Sequence, residues 1–303
     1  MARIRTDVCV IGAGSGGLSV AAGAAQMGAK VVLLEGHKMG GDCLNYGCVP
    51  SKALIAAAKQ AHAMGTGEPF GVTPVMPEIS YSAAKDHVQN AIATIAPHDS
   101  VERFEGLGVQ VIRDYGRFIS KTEVQAGDTV IEARRFVIAT GSSPLVPPIP
   151  GIGDVPYHTN ETIFELREKP DHLSIIGGGP IGIELAQEHV RVGSQVTVIE
   201  SDLEGWIADR LKALGKDDPE LAAVVLDRVR AEGVEIVEGS NAARIGGTGG
   251  DITVETEDGG VHTGTHLLIA VGRKVNVDRL DLDKAGVAHD RAGKVDASLR
   301  TSN

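Results

Sequence analysis

An α/β fold of two three-layer domains, each a parallel sheet between helices, is what this sequence predicts, and three observations carry the prediction. A strand-like apolar run leads into the same glycine turn twice, near residues 12 and 177. Each turn opens a helical stretch, and each helix is followed by a second apolar run that ends on a glutamate. At 303 residues the chain also exceeds the usual size of one hydrophobic core, so two domains of roughly 100–150 residues are expected.

In the first repeat, TDVCVIGAGSGGLSVAAGAAQMGAKVVLLE, the strand Val8 to Ile11 runs into Gly12-x-Gly14-x-x-Gly17. A helix then reaches about Met27, and a second strand, Val31 to Leu34, ends at Glu35. Gly12 permits a tight turn, Gly14 lets a pyrophosphate approach the backbone, and Gly17 lets the helix sit close on the strand. Glu35 is placed to accept hydrogen bonds from ribose hydroxyls. In a chain with 39 glycines that spacing alone is a weak signal. Strand, turn, helix, strand and acid together make it a dinucleotide-binding, Rossmann-like unit.

The second repeat, HLSIIGGGPIGIELAQEHVRVGSQVTVIE, has the strand Leu173 to Ile176, the turn Gly177-x-Gly179-x-x-Gly182, a helix Ile183 to Val192, a strand Val196 to Ile199 and Glu200. From Gly17 to Glu35 and from Gly182 to Glu200 the spacing is the same, 18 residues. A carboxylate at Glu200 repels a 2'-phosphate and no arginine follows in ESDLEG, so NADH is expected over NADPH. Two dinucleotide sites in one chain point to electrons passing between two cofactors; the bland alternative is two structural units without ligands.

Composition bounds the rest. Hydrophobic residues make up 42% and charged residues 23%, ordinary for a globular protein with a large core. The net charge of -11 comes without a basic block, which excludes a nucleic-acid backbone surface and disfavours anionic membranes. The N-terminal apolar run is too short for a signal peptide, and no segment reaches about 18 apolar residues, so a cytoplasmic address is expected. Three cysteines are too few for a secreted disulfide scaffold.

Two of them, Cys43 and Cys48, lie four residues apart in GGDCLNYGCVPSK. A close pair in a reducing compartment points to redox chemistry or metal. A closed zinc site needs about four ligands at short spacings. Here Cys9 is remote and only His37 lies within ten residues of Cys43, so no metal is expected. Two unrelated buried thiols remain as the bland alternative. On a regular helix two such residues have Cα atoms about 8.6 Å apart, beyond the roughly 4.4–6.8 Å of a disulfide. A bond therefore requires an irregular segment, which Gly47 is placed to supply, with the regular helix starting around Pro50 and running through SKALIAAAKQAHAM. A helix start beside the thiols favours a thiolate.

The two fingerprints, the C-x4-C segment and IATGSSPLVPPIPG resemble the class I pyridine nucleotide-disulfide oxidoreductases, the flavoenzyme family of dihydrolipoamide dehydrogenase, glutathione reductase and mercuric reductase. PSKAL, after the second cysteine, is more similar to the lipoamide and mercuric branches. The resemblance covers nearly the whole chain. It implies FAD at the first fingerprint, NAD at the second, and the NAD domain inserted in the FAD domain: 1-150 FAD-binding with a redox-active disulfide, 151-275 NAD(H)-binding, 276-303 the start of a return segment. It further implies that Cys43 and Cys48 form that disulfide, Cys48 as the flavin-proximal thiol in charge-transfer contact with the ring and Cys43 as the interchange thiol. Lys52 matches a lysine near the flavin and Glu184 its carboxylate partner. From the residues alone, Lys52 lies one helical turn after Cys48 and is equally readable as a solvated lysine, while Glu184 sits in a helical first turn where the dipole favours a carboxylate. Gly41, Asp42, Gly116, Thr140, Gly141 and Gly272 are the remaining cofactor-contact candidates.

The implied activity is electron transfer between NADH and a small-molecule disulfide or dithiol, with a homodimer for the full-length family. A nucleotide-binding fragment without turnover and a flavin enzyme that does not use the disulfide are the competing readings. Departures from the pattern are also visible. The family's base, a histidine paired with a glutamate in a C-terminal interface domain, has no counterpart before Asn303, nor has a last flavin-binding segment; the chain therefore reads as truncated, with edge strands left unpaired. Asp42 stands where threonine is common and adds negative charge near phosphates, and Pro180 takes the place of a gating tyrosine. Residues 201–221, with the only tryptophan, read as an amphipathic surface helix. Residues 80–106 read as helix broken at Pro97, VQVIRDYGRF and EVQAGDTVIEARRFVIAT as strands, PLVPPIPG as a proline-rich crossing, and HLLIAVGRKVN as the crossing back.

Overall fold

The structure is a computed structural model that describes residues 2–201, 219–290 and 293–303. Most of the stretch expected as an amphipathic surface helix, 202–218, lies outside the described residues. The chain divides into two compact units, Met1–Val49 with Ala91–Ser143 and Arg273–Asn303, and Pro50–Asn90 with Pro144–Gly272.

Unit 1 is built on a six-stranded sheet of order β3-β2-β1-β6-β5-β4. Its strands are β1 (Ala2–Ile11), β2 (Val31–Leu34), β3 (Val109–Ile112), β4 (Gly116–Ser120), β5 (Glu123–Ala126) and β6 (Thr129–Ile138). β1, β2, β3 and β6 are parallel, and β5 runs antiparallel between β6 and β4. Strands buried on both faces need apolar residues at every position, and VVLL of β2 is buried throughout. Alternation then splits the core. Cys9, Ile11, Val32 and Leu34 pack on one face with Phe118, Ile131, Leu280, Leu282 and Val287. Val10, Val31 and Leu33 pack on the other with Leu18, Ala21 and Phe104. Leu18 and Ala21 come from α1 (Ser15–Gln26), the helix that follows the first glycine turn. Next in the chain come α2 (Gly41–Asn45) and α3 (Cys48–Gly65). α4 (Tyr81–Ile95) runs into a 3-10 turn, Ala96–Asp99, at Pro97, and α5 (Val101–Gly106) follows, its first turn capped by the Ser100 hydroxyl accepting from the Arg103 N–H at 3.2 Å. The division between units falls inside α3 and α4.

β7 (Ser142–Pro144) leaves the first sheet, and unit 2 repeats its topology with four parallel strands in the order β10-β9-β8-β14. These are β8 (His172–Ile176), β9 (Gln195–Glu200), β10 (Glu235–Glu238) and β14 (His266–Ile269), with α6 (Pro180–Arg191) after the second glycine turn and a helix Pro219–Ala231 before β10. A three-stranded antiparallel sheet, β11 (Ala242–Thr248), β12 (Asp251–Thr256) and β13 (Val261–Gly264), closes over Ile176, Ile199, Leu267 and Ile269. The outer side of β14 is paired by His158, whose N–H donates to Leu267 O and whose carbonyl accepts from Ile269 N–H. β15 (Arg273–Val275) pairs with β7, so the outgoing and returning crossings form one two-stranded ribbon. No helix among the described residues is long and apolar enough to cross a membrane.

Both glycine turns are dictated by contact. At Gly12 (φ +106°) a Cβ would lie 2.3 Å from Ala139 O, and at Gly177 (φ +107°) 2.6 Å from Ala270 O. At Gly17 it would lie 1.8 Å from Gly12 O, and at Gly182 1.9 Å from Gly177 O. A side chain at either third glycine would push the helix off its strand. Gly17→Ala is therefore expected to cost on the order of 3 kcal/mol in urea unfolding. Gly16→Ala, where no atom lies within 4 Å, is expected to gain up to about 1 kcal/mol through helix propensity.

Candidate functional site

Unit 1 brings together Gly12, Gly14, Gly17, Glu35, Gly41, Asp42, Cys43, Cys48, Gly116, Thr140 and Gly141. Unit 2 holds Lys52, Gly177, Gly179, Gly182, Glu184, Glu200 and Gly272.

The first loop carries α1 with Gly14 as N-cap and no capping side chain, which leaves its first amides to an anion. Gly14 pairs with Gly40 in a parallel bridge, and a Cβ on Gly41 (φ +56°) would sit 2.6 Å from Gly14 Cα. Only glycines let the two backbones face each other this closely, and the cradle they form suits a pyrophosphate. Glu35 Oε2 accepts from the Ala13 N–H at 2.7 Å and Oε1 from the His37 N–H at 2.7 Å, which fixes the carboxylate at the end of β2. The second loop matches it: Gly179 is an N-cap without a side-chain partner, and Glu200 Oε2 accepts from the Gly178 N–H at 2.7 Å. Pro180 occupies the first helical position, where its missing N–H costs nothing. These residues fit FAD at the first loop and a nicotinamide dinucleotide at the second.

Asp42 does not stand as an uncompensated charge. Its Oδ1 accepts from Arg273 Nη2 at 2.9 Å, and Arg273 also donates to Ser142 Oγ at 2.8 Å and Ser142 O at 2.6 Å. The concern that this carboxylate weakens a phosphate site is answered by an arginine that the sequence did not flag. Thr140 and Gly141 are held by Asn276: Thr140 Oγ1 donates to Asn276 O at 2.6 Å, and the Asn276 N–H donates to Gly141 O at 3.0 Å. Gly116 is buried, and a Cβ there would lie 2.6 Å from Leu34 Cδ1, so close packing on β2 requires glycine. Gly272 (φ +147°) is exposed and accepts from the Leu145 N–H at 3.0 Å.

Cys43 and Cys48 are unbridged cysteines, and a side-chain hydrogen bond joins them. The irregularity needed between them falls at Tyr46 (φ -141°) and Gly47, after α2 ends at Asn45. α3 begins at Cys48 and not at Pro50, because proline is tolerated anywhere among the first residues whose N–H groups have no helical partner. Gly47 passes close to Asp42, whose Oδ2 would be 3.0 Å from a Cβ there. Burial, then the hydrogen bond to Cys48 and the charge Cys48 carries once ionised, push the Cys43 thiol up to about 11. Cys9, fully buried in β1, is pushed up to about 12 by burial alone and is inert. A pocket of about 330 Å³ opens onto Cys43.

In unit 2, Lys52 Nζ donates to Glu184 Oε2 at 2.6 Å. The pair is 61% and 34% exposed, so it contributes at most about 1 kcal/mol to stability, and folding does not explain it. One turn behind Glu184, Glu188 is 2% exposed, with neither carboxylate oxygen hydrogen-bonded among the described residues. Burial first, and then the Glu184 charge, hold it well above the usual carboxylate range. Lys85, fully buried, donates to Ile163 O at 3.0 Å and is brought down to about 8 by burial. His189 Nδ1 faces Leu185 O at 2.8 Å, so that nitrogen carries the proton, and Nε2 accepts from Tyr81 OH at 3.2 Å. Burial drops His189 to about 3 and keeps it neutral. Reading the sequence missed this cluster, although Glu188 stands at the i+4 position from Glu184.

The sequence profile described as "Pyridine nucleotide-disulphide oxidoreductase" matches residues 6–303. The mercuric reductase of Streptomyces lividans is 33% identical over 308 residues, covering 98% of this chain and 63% of that protein. The dihydrolipoyl dehydrogenase of Chlamydia trachomatis is 33% identical over 307 residues with the same coverage. Among solved structures, the copper complex of the HOCl-induced flavoprotein disulfide reductase RclA of Escherichia coli superposes with a TM-score of 0.82 at 27% identity over 98% of this chain and 63% of that one. The chain spans 63% of the length of both curated relatives.

Two predictions follow from the titrating groups. In the reduced chain, alkylation of Cys43 is expected to accelerate up to about pH 11, and Cys48→Ser is expected to bring that midpoint down, read by mass spectrometry after pulsed iodoacetamide. Because the Glu188 carboxyl titrates above its unfolded value of 4.5 when folded, its burial costs nothing below that pH and costs stability as pH rises. Glu188→Gln is expected to match the wild type near pH 4 and gain on it by up to about 1.4 kcal/mol per pH unit above 4.5, measured by urea unfolding, until the folded carboxyl ionises.

With the profile covering nearly every residue and both fingerprints folded as paired nucleotide loops, the chain belongs to the pyridine nucleotide-disulphide oxidoreductase family.

Proposed function

We propose that this protein transfers electrons between NADH and a small-molecule disulfide or dithiol through a Cys43–Cys48 couple, with FAD held by the first loop and NAD by the second. In this reading residues 1–150 are the FAD-binding domain, 151–275 the NAD(H)-binding domain and 276–303 the start of a return to the first, in a whole protein that is a homodimer. The observation that carries it is the hydrogen-bonded Cys43–Cys48 dithiol in the same unit as a nucleotide loop with uncapped helix amides.

When bound, FAD would supply the two-electron link between a nicotinamide and the sulfur couple. The chain's own part is positioning and proton control. Gly12, Gly14, Gly41 and the α1 amides hold a pyrophosphate, Glu35 receives ribose hydroxyls, and the Thr140–Gly141 turn is pinned by Asn276 for close backbone approach. Gly177, Gly179, Gly182 and Glu200 do the same for the nicotinamide dinucleotide, and the Glu200 carboxylate disfavours a 2'-phosphate. Cys48 is the flavin-proximal thiol and Cys43 the interchange thiol, whose proton burial helps to hold. Glu184 fixes the Lys52 ammonium in one direction, which makes Lys52 the cation available to a flavin.

The test is an anaerobic titration of the FAD-supplemented protein with NADH, followed by absorbance. A long-wavelength band owed to the Cys48 thiolate is expected to rise, to be absent in Cys48→Ser, and to develop at least about tenfold more weakly with NADPH. Mass spectrometry of the oxidised protein is expected to show Cys43 and Cys48 bonded; both thiols free in that sample would overturn the reading.

A further inference from the structure

We propose that His158 and His266, side by side on the outer edge of the unit 2 sheet, form a binding site for a zinc-type divalent cation, with Thr162 and Thr265 as the hydroxyls that hold the two imidazoles. The site does not rest on the electron-transfer reading. His266 opens β14, level with Leu173 near the start of β8, whereas the second glycine turn follows the other end of β8.

His158 lies opposite Leu268 of β14 in a parallel bridge, and His266 stands two residues before Leu268. Alternation along a strand turns residues two apart to the same side, so the two imidazoles share one face. Their ring centres are 6.0 Å apart, with an angle of 20° between the planes. Zinc binds imidazole nitrogen at about 2.0–2.1 Å, which places an ion about 3.2 Å from the centre of each ligating ring, so two rings can share it while their centres stay within about 6.4 Å. The observed separation is inside that limit. Closing it to about 5.2 Å gives the tetrahedral angle, a small swing for two half-buried side chains.

The hydrogen bonds leave the ligating nitrogen open. Thr265 Oγ1 spends its one proton on His172 O at 3.0 Å, so towards His266 Nδ1, 3.0 Å away, it can only accept, and the His266 proton sits on Nδ1. Thr162 Oγ1 accepts from the Thr159 N–H at 3.1 Å and has a second lone pair for His158 Nδ1 at 3.3 Å. Nε2 of either ring has no hydrogen-bond partner among the described residues. An imidazole with its Nδ1–H tied to an oxygen and its Nε2 bare is in the form that ligates metal.

Both rings are also held neutral. Burial, then the charges of His266 and Lys85, lower His158, and burial lowers His266 against the opposing pull of Asp171 and Glu168. Those two carboxylates are exposed and favour the approach of a cation, while Lys85 is fully buried. No third histidine, cysteine or carboxylate joins the pair as a ligand among the described residues, so water fills the remaining positions. Two neutral imidazoles select a zinc-type ion over magnesium, which prefers oxygen.

The test is isothermal titration of the chain with zinc chloride in a Cys43→Ser/Cys48→Ser background, which removes the thiols that would compete for the ion, with folding checked by circular dichroism. One equivalent is expected to bind, and excess Mg²⁺ is expected not to displace it. His158→Gln and His266→Gln are each expected to weaken binding at least about tenfold, and Thr265→Val about 10- to 100-fold with recovery in Thr265→Ser. In the nitrogen NMR spectrum of the imidazoles, zinc is expected to shift Nε2 of His158 and His266 and to leave both Nδ1 protonated, a signature that a merely structural change does not produce. No binding by the folded chain, displacement by Mg²⁺, full affinity kept in either histidine variant, or shifts confined to other histidines overturns the inference.

Discussion

A helix can deliver its free N-terminal amides to the end of a strand only if the two backbones touch. That contact governs both units. Gly17 against Gly12 and Gly182 against Gly177 leave no room for a methyl group, and the positive φ of the first glycine in each turn sends the chain from strand into helix beneath the next parallel strand. Once the contact is made, much else is determined. The strand ends lie level, the acid at the end of the second strand meets the amide after the turn, and the anion-seeking end of the helix faces outward.

The electrostatics of unit 2 show two ways of handling charge on one helix. Glu184 is partly exposed and paired with Lys52. Glu188, four residues on, has been taken out of water without a hydrogen-bond partner, and Lys85 and His189 nearby are likewise driven toward their neutral forms. Burial decides the protonation of these three groups more than their mutual charges do. The outcome is a buried polar cluster behind a partly exposed ion pair.

Much of this was readable from residues because the constraints are local. The glycine spacing, the apolar runs and the acid 18 residues on are all set within about thirty residues, and the strands and helices fall where those patterns place them. What could not be read depends on distance along the chain. Arg273 neutralises Asp42 across 231 positions, and Asn276 pins Thr140 across 136. Glu188 was visible as a residue, but which face of α6 loses water follows from α4 and the Ile163 turn packing there, not from the periodicity of α6 itself. The start of α3 at Cys48 was misjudged through a proline rule that is permissive over a whole turn.

The return of the chain after Gly272 has a kinetic consequence. Arg273 ties down Asp42, β15 lies along β7, and Leu280, Leu282 and Val287 complete one face of the unit 1 core. A nascent polypeptide emerging from the ribosome exposes that face until more than two hundred and seventy residues have been synthesised, while unit 2 has all its segments in hand earlier. The face of unit 1 that this segment covers is thus the last part of its core to be supplied.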